Sequence, residues 1–228
     1  IGQTPLYFNS MSAKAMRDLL IGGGKKTAAE KKEIKHNPEQ EFRESVYTKD
    51  DGDTYLCFPA PGVKGAMATA ALETAGINKT NVNRGIFVPG DFIQVWGKPY
   101  LKMDIVRSAD MNKTPDVRTR AFLPNWVAEI NIKYVVPTFS RHSISSLLNN
   151  AGAMVGIGDF RQEKGRGSYG TFAVASDEDM GEWQELWDSI TQEGRDIQKL
   201  AMEQPECADR LTAELMQCLQ EERLRRAA

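Results

Sequence analysis

The sequence predicts an α+β fold: a ferredoxin-like, RRM-like antiparallel sheet with helices on one face, followed by a C-terminal helical hairpin. Three observations carry this expectation. A strand, helix, loop and strand follow one another twice, over about 54–96 and 126–174, and two such units build a sheet of this kind. Residues 126–136 (WVAEINIKYVV) set Val127, Glu129, Asn131 and Lys133 between Trp126, Ala128, Ile130, Ile132 and Tyr134, the alternation of a half-buried antiparallel strand. From Asp177 the period becomes helical. Met180, Trp183, Leu186, Trp187, Ile190, Ile197 and Leu200 form one stripe, and Leu211, Leu215, Cys218 and Leu219 another beyond Pro205. The expected division is a body over 1–176, with a charged insertion at about 22–50, and an amphipathic helical tail over 177–228.

Taken in order, 5–9 (PLYFN) reads as a first strand and 12–20 as a helix with Ala15, Met16, Leu19 and Leu20 on one face. Gly22, Gly23 and Gly24 stop that helix. Residues 25–44 interleave Lys25, Lys26, Lys31, Lys32 and Lys35 with glutamates. With few apolar anchors, they read as a solvated helix or loop, or as a basic arm for nucleic acid. Residues 54–58 (TYLCF) form a buried strand, 59–62 (PAPG) a rigid turn, and 63–75 a small-residue helix closed by Gly76. Pro61 suits a helix's first turn, and the N–H groups there, beside Lys64, suit an anion. Strands follow at 85–88 and 92–96 around the Pro89-Gly90 turn.

Residues 102–126 are less regular. Arg107, Lys113, Arg118 and Arg120 lead to Phe122 and Trp126. Such cations and aromatics pair phosphates and stack bases, unless the two aromatics point into the core. Residues 143–150 are helical, capped near Ser140 or Ser143 and ended by Gly152. A last strand is expected over 169–174.

A chain of 228 residues suits one large domain or two small ones, and 41% hydrophobic with 26% charged residues is globular composition. No run approaches the roughly 18 apolar residues of a membrane helix. Cys57, Cys207 and Cys218 lack metal spacing and read as reduced structural thiols of an intracellular, cytoplasmic protein. No cofactor is implied, and the absence of G-x-x-x-x-G-K-[ST] argues against P-loop nucleotide hydrolysis. The net charge of −2 conceals an asymmetry: 1–176 hold 23 lysines and arginines against 17 acids, and 177–228 hold 6 against 14. A basic body with an acidic tail fits a body that meets a polyanion, or one that attracts its own tail.

The stretch 152–174 stands out. Six glycines lie between Gly152 and Gly170, with Arg161, Lys164 and Arg166 among them. Glycine permits φ > 0 and close approach, and basic residues there set charge beside N–H groups that can meet phosphate. A plain surface loop is the alternative.

Two motifs then coincide in order. Residues 55–66 (YLCFPAPGVKGA) resemble the strand, proline-glycine turn and lysine-glycine-alanine helix start of the RAMP superfamily, which includes backbone subunits of CRISPR effector complexes. Residues 156–172 (GIGDFRQEKGRGSYGTF) resemble its C-terminal glycine-rich loop, so the resemblance covers about 50–175. It implies an RNA-recognition-like fold, RNA held along its backbone, and repeated subunits on one strand. A short chain with a helical tail then suggests a stand-alone or phage-encoded relative, coating RNA or imitating a subunit of antiviral defence. Lys64 and Gly65 match the first motif, and Gly156, Gly158, Gly165, Gly167 and Gly170 match the loop. Arg161, Lys164 and Arg166 are added by charge and position, as are Arg118 and Arg120.

Three functions follow as expectations. The first is non-catalytic binding of single-stranded RNA, crRNA-like or other, through these residues, by a multimer. The second is a scaffold or mimic whose C-terminal helices join a second copy or effector subunits, favoured by Trp183 and Trp187. The third is an RNA endonuclease using His36, His142 or Asp110, none of which has a second group at the spacing that general acid–base work needs.

Overall fold

The computed structural model describes residues 1–21, 36–107, 113–163, 167–175 and 180–227. The elements in order are β1 (Leu6–Tyr7), α1 (Ala13–Ile21), α2 (Pro38–Glu44), β2 (Tyr47–Thr48), β3 (Leu56–Pro59), α3 (Ala60–Ala70) and α4 (Lys79–Gly85). Next come β4 (Ile86–Phe87), β5 (Phe92–Trp96), β6 (Tyr100–Arg107), β7 (Pro115–Leu123), β8 (Val127–Ala128) and β9 (Lys133–Tyr134). Then follow α5 (Arg141–Asn150), a π-helical turn (Ala151–Val155), α6 (Met180–Thr191), α7 (Arg195–Glu203) and α8 (Arg210–Ala227). The protein is α+β, with antiparallel sheets and C-terminal helices. The described residues form two compact units: Ile1–Tyr7, Tyr47–Lys98 and Leu123–Leu200 in one, and Phe8–Val46, Pro99–Phe122 and Ala201–Ala228 in the other. Residues 180–200 thus belong to the first and 201–227 to the second, so 177–228 do not form a unit of their own.

In the first unit the sheet runs β2-β3-β5-β8, each pair antiparallel. Leu56, Cys57 and Phe58 are buried on both faces, which explains a continuous apolar run instead of an alternating one. Helix α3 starts at once from β3 with Pro61 in its first turn, and its small residues Ala66 and Ala70 are buried. It packs against α4, α5 and the π-helical turn. Ser140 and Ser143 form a capping box at the start of α5. That helix does not stop at Gly152: the chain continues through the π-helical turn, closed by the Gly156 N–H donating to Ala151 O at 2.8 Å.

Two expected strands are shorter than the alternation suggested. Residues 126–136 break into β8, which pairs with β5, and β9, which pairs with β4. Residues 169–174 hold a single bridge, Gly2 to Phe172. Their remaining polar groups are taken up elsewhere: the Ala173 N–H donates to Ile1 O and the Val174 N–H to Asn149 Oδ1.

The helical stripe after Asp177 is half right. Trp183, Trp187 and Ile190 do pack inward, Ile190 with Trp96 and Val127. On α7, however, Ile197 and Leu200 are 40% and 54% exposed, and the buried residue is Gln198, at 0%. Its Oε1 accepts from the Tyr55 and Leu56 N–H groups at 2.8 and 2.9 Å. Its Nε2 donates to the carbonyls of Val95 and Gly97 at 2.9 and 3.1 Å. One amide thereby satisfies four backbone groups where β3 and β5 part beyond the Cys57–Gln94 pair. Arg195, one turn earlier, donates to the carbonyls of Lys49, Gly52 and Thr54 and holds the loop before β3.

The second unit is built on the hairpin of β6 and β7, paired from Tyr100–Phe122 to Arg107–Pro115. This is the longest ladder among the described residues, in a stretch whose charges made it look irregular. Leu101, Met103, Thr119 and Ala121 are buried. Residues 22–35 of the expected charged insertion lie outside the described residues, and 38–44 form α2 with Phe42 buried. Its acceptors serve β7: Glu41 Oε2 takes the Thr119 N–H and Ser45 Oγ the Ala121 N–H.

Replacing Gln198 by Leu leaves four buried backbone groups without partners, so stability is expected to fall by about 3–5 kcal/mol. Ile197→Ser and Leu200→Ser are expected to change it by less than about 1 kcal/mol. Chemical denaturation of the three variants checks this ordering.

Candidate nucleic-acid interface

An open groove of about 1030 Å³ lies within the second unit. Arg118 and Arg120 of β7, Arg223 of α8 and His36 line it, with Asn9, Ser10, Asn37 and Gln40 as neutral partners and Glu41, Glu44 and Asp116 as acids. The acids are largely occupied by the protein itself. Glu41 Oε1 and Asp116 Oδ1 face the two ring nitrogens of His36 at 2.8 and 3.0 Å, and Glu44 accepts from Gln40 Nε2. Arg118 is exposed and makes no ion pair among the described residues. Arg120 is 4% exposed. Arg223 leans on Asn37 Oδ1 at 3.3 Å and Glu39 at 3.6 Å, a loose hold that leaves its charge accessible from the groove.

Of the acid–base candidates, His36 has both nitrogens engaged. Each is held by a carboxylate oxygen, Glu41 Oε1 on one side and Asp116 Oδ1 on the other, so neither nitrogen is open to a substrate. The arrangement clips the segment before α2 to β7. His142 is exposed on α5, and Asp110 lies outside the described residues.

The motif residues of the first unit are placed separately. Lys64 Nζ donates to Asn83 O at 2.9 Å and stands 5.4 Å from the centre of the Phe87 ring, serving the last turn of α4. Gly65 is exposed, and a Cβ there would meet open space. The glycine-rich loop is pinned to the N-terminal strand: the Asp159 N–H donates to Tyr7 O and the Gly170 N–H to Pro5 O. Tyr7 also packs edge-on against Phe160 and Tyr169. At Gly158 (φ +83°) a Cβ would strike the Tyr7 carbonyl, and at Gly170 (φ +68°) that of Ile157. Gly156 and Gly167 likewise face the backbone of 169–170 and Phe160. At these four glycines the chain packs on its own backbone with no room for a Cβ. Arg161 donates to Gly158 O and to Glu163 Oε2, and Lys164, Gly165 and Arg166 lie outside the described residues.

No protein-family model matches the chain, and no curated protein matches it in sequence. Among the described residues no helix is long and apolar enough to cross a membrane.

The sequence reading missed Arg223, because residues 177–228 were weighed by their acidity and apolar stripes. The stripe on α8 is also displaced. Leu211, Leu215 and Cys218 are exposed, while Thr212 is fully buried and Met216, Leu219 and Arg223 are part-buried on the same face. The start of α8 explains this orientation. Asp209 Oδ1 accepts the Thr212 N–H at 2.7 Å, Thr212 Oγ1 accepts the Met103 N–H, and Asp209 Oδ2 takes Lys102 Nζ at 3.0 Å. The helix is thereby rolled so that Arg223 comes to the groove.

The Thr212 N–H and hydroxyl, with Lys102 in support, hold the Asp209 carboxyl down to about 2. A folded value below the unfolded one of 3.8 means that this cap contributes fully above about pH 4 and is lost as pH falls through about 2. Asp209→Ala is expected to destabilise the protein by about 1 kcal/mol near neutral pH, whereas Asp209→Asn, itself a good cap, costs less. Thermal melts at pH 7 and pH 3 test both the size and the direction.

Proposed function

We propose that this protein binds single-stranded RNA without cleaving it, gripping phosphates along the groove of the second unit. The observation that carries the reading is the groove itself: Arg118, Arg120 and Arg223 reach it together, and its acids are turned to His36 and Gln40. Phosphate contacts of this kind supply sequence-independent affinity. The engagement of both His36 nitrogens supports a non-catalytic role. The RAMP-like motifs at 55–66 and 156–172 support RNA as the polyanion and subunits arrayed along one strand. In this reading Lys64 and Arg161 act as structural cations first, and the glycines shape the loop.

A second reading, a scaffold or mimic acting through protein contacts, is favoured by the exposed Leu211, Leu215 and Cys218 on α8. Deleting 177–228 cannot separate the two, because Gln198 and Ile190 are core residues of the first unit. Leu211→Glu with Leu215→Glu does: the RNA reading expects retained RNA affinity.

Anisotropy of a labelled RNA oligonucleotide tests the proposal. With Arg118 and Arg223 each neutralising a phosphate, affinity is expected to fall about sevenfold between 50 and 200 mM salt. Arg118→Ala with Arg223→Ala is expected to flatten that dependence by about two contacts. Salt-independent binding, or an unchanged slope in the double variant, contradicts the groove as the site.

A further inference from the structure

We propose that a second, neutral cleft beside the glycine-rich loop takes one nucleobase, an inference that rests on the reading of the protein as an RNA binder. The cleft measures about 430 Å³, and Gln3, Asn149, Gln162, Ser168 and Phe172 are among its walls. None of its described lining residues is charged. Among the described residues a phosphate meets no counter-ion there, whereas an uncharged ring with hydrogen-bonding edges meets amides and a hydroxyl. The volume lies in the range of small-molecule sites.

Two amides are fixed by the protein so that each keeps one group for a ligand. Asn149 Oδ1 accepts the Val174 N–H at 2.8 Å, which sets the orientation of the amide and leaves its Nδ2 hydrogens to donate. Gln162 is satisfied when its Nε2 donates to the carbonyls of Ala153 and Met154, both at 3.1 Å, which leaves Oε1 to accept. The cleft thus offers a donor from Asn149 and an acceptor from Gln162, the two kinds of group with which amide side chains meet base edges. Ala153, Ala173 and Phe172 add apolar surface. The groove with its arginines holds charge, and the cleft with its amides reads an edge.

Titration of the full chain with adenosine, cytidine, guanosine, uridine and ribose, followed by the side-chain amide NMR signals of Asn149 and Gln162, tests this. One nucleoside is expected to move both signals saturably and to bind about tenfold more tightly than the least favoured one, with ribose inert. Asn149→Asp keeps the acceptor for Val174 but turns the ligand-facing donor into an acceptor, and is expected to weaken that nucleoside about tenfold or more. Should that variant not fold, Gln162→Leu, at an exposed position, is expected to weaken it likewise. No response to any nucleoside, an equal response to ribose, or unchanged affinity in the variants overturns the proposal. RNA anisotropy on the same sample separates the two readings: RNA bound with silent amides removes the base site alone. Amides that respond in a protein that binds no RNA keep a nucleoside site and overturn the RNA reading.

Discussion

A single buried amide closes the sheet of the first unit. Strands β3 and β5 pair over three residues and then diverge, leaving two N–H groups and two carbonyls inside the protein. Each such group left unmet costs about 1–3 kcal/mol, more together than a small sheet gains from three cross-strand pairs. Gln198 meets all four with the donors and acceptor of one side chain, at 0% exposure. A leucine of similar size fills the space but not the bonds. On the same sheet α3 starts at the end of β3, and Ile190 of α6 packs with Trp96 and Val127.

The same economy governs the charges. Among the described residues many cations that look available in the sequence are already committed: Lys64 to Asn83, Arg161 to Glu163 and Gly158, Lys102 to Asp209, Arg195 to three carbonyls. Arg118 and Arg223 differ in being exposed or loosely held, at a groove whose acids Glu41 and Asp116 are engaged with His36. A phosphate offered to the proposed groove would compete with weak contacts and not with strong ones, whereas Arg161 of the glycine-rich loop is already held by Gly158 and Glu163. The loop contributes shape instead, bending so closely over Tyr7 and back on Ile157 that side chains have no room at its turns.

How far the sequence foretold this depends on what each signal measures. The buried run at β3, the proline in the first turn of α3 and the Ser140 cap of α5 are local signals, and the structure bears them out. The hairpin of β6 and β7 escaped because its charged residues alternate with Leu101 and Met103, and charge density drew attention from the period. The helical stripe misled on α7 and α8 for one reason: a hydrophobic pattern counts leucines, whereas these helices are seated by Gln198 and Thr212, polar residues buried because backbone groups await them. Charge beside aromatics singled out Arg118 and Arg120, and the structure sets both in the wall of the groove, Arg120 largely buried. Arg223 could have been found as a cation spaced at i+11 from Thr212, had Thr212 been known to face inward. Gly156, Gly158, Gly167 and Gly170 read in the sequence as room for a ligand, and in the structure a Cβ at each meets the chain's own backbone, which no one-dimensional pattern displays.

If the groove is the site proposed for RNA, the RNA touches the protein there and not elsewhere. Ultraviolet cross-linking of the full chain to a single-stranded RNA at low salt, with the cross-linked peptides identified by mass spectrometry, addresses it directly. Cross-links are predicted in peptides bordering the groove, from β7 around Arg118 and Arg120 and from the end of α8 around Arg223. Cross-links confined to peptides outside 8–46, 99–122 and 201–227, or none from a mixture in which RNA is bound, would contradict it.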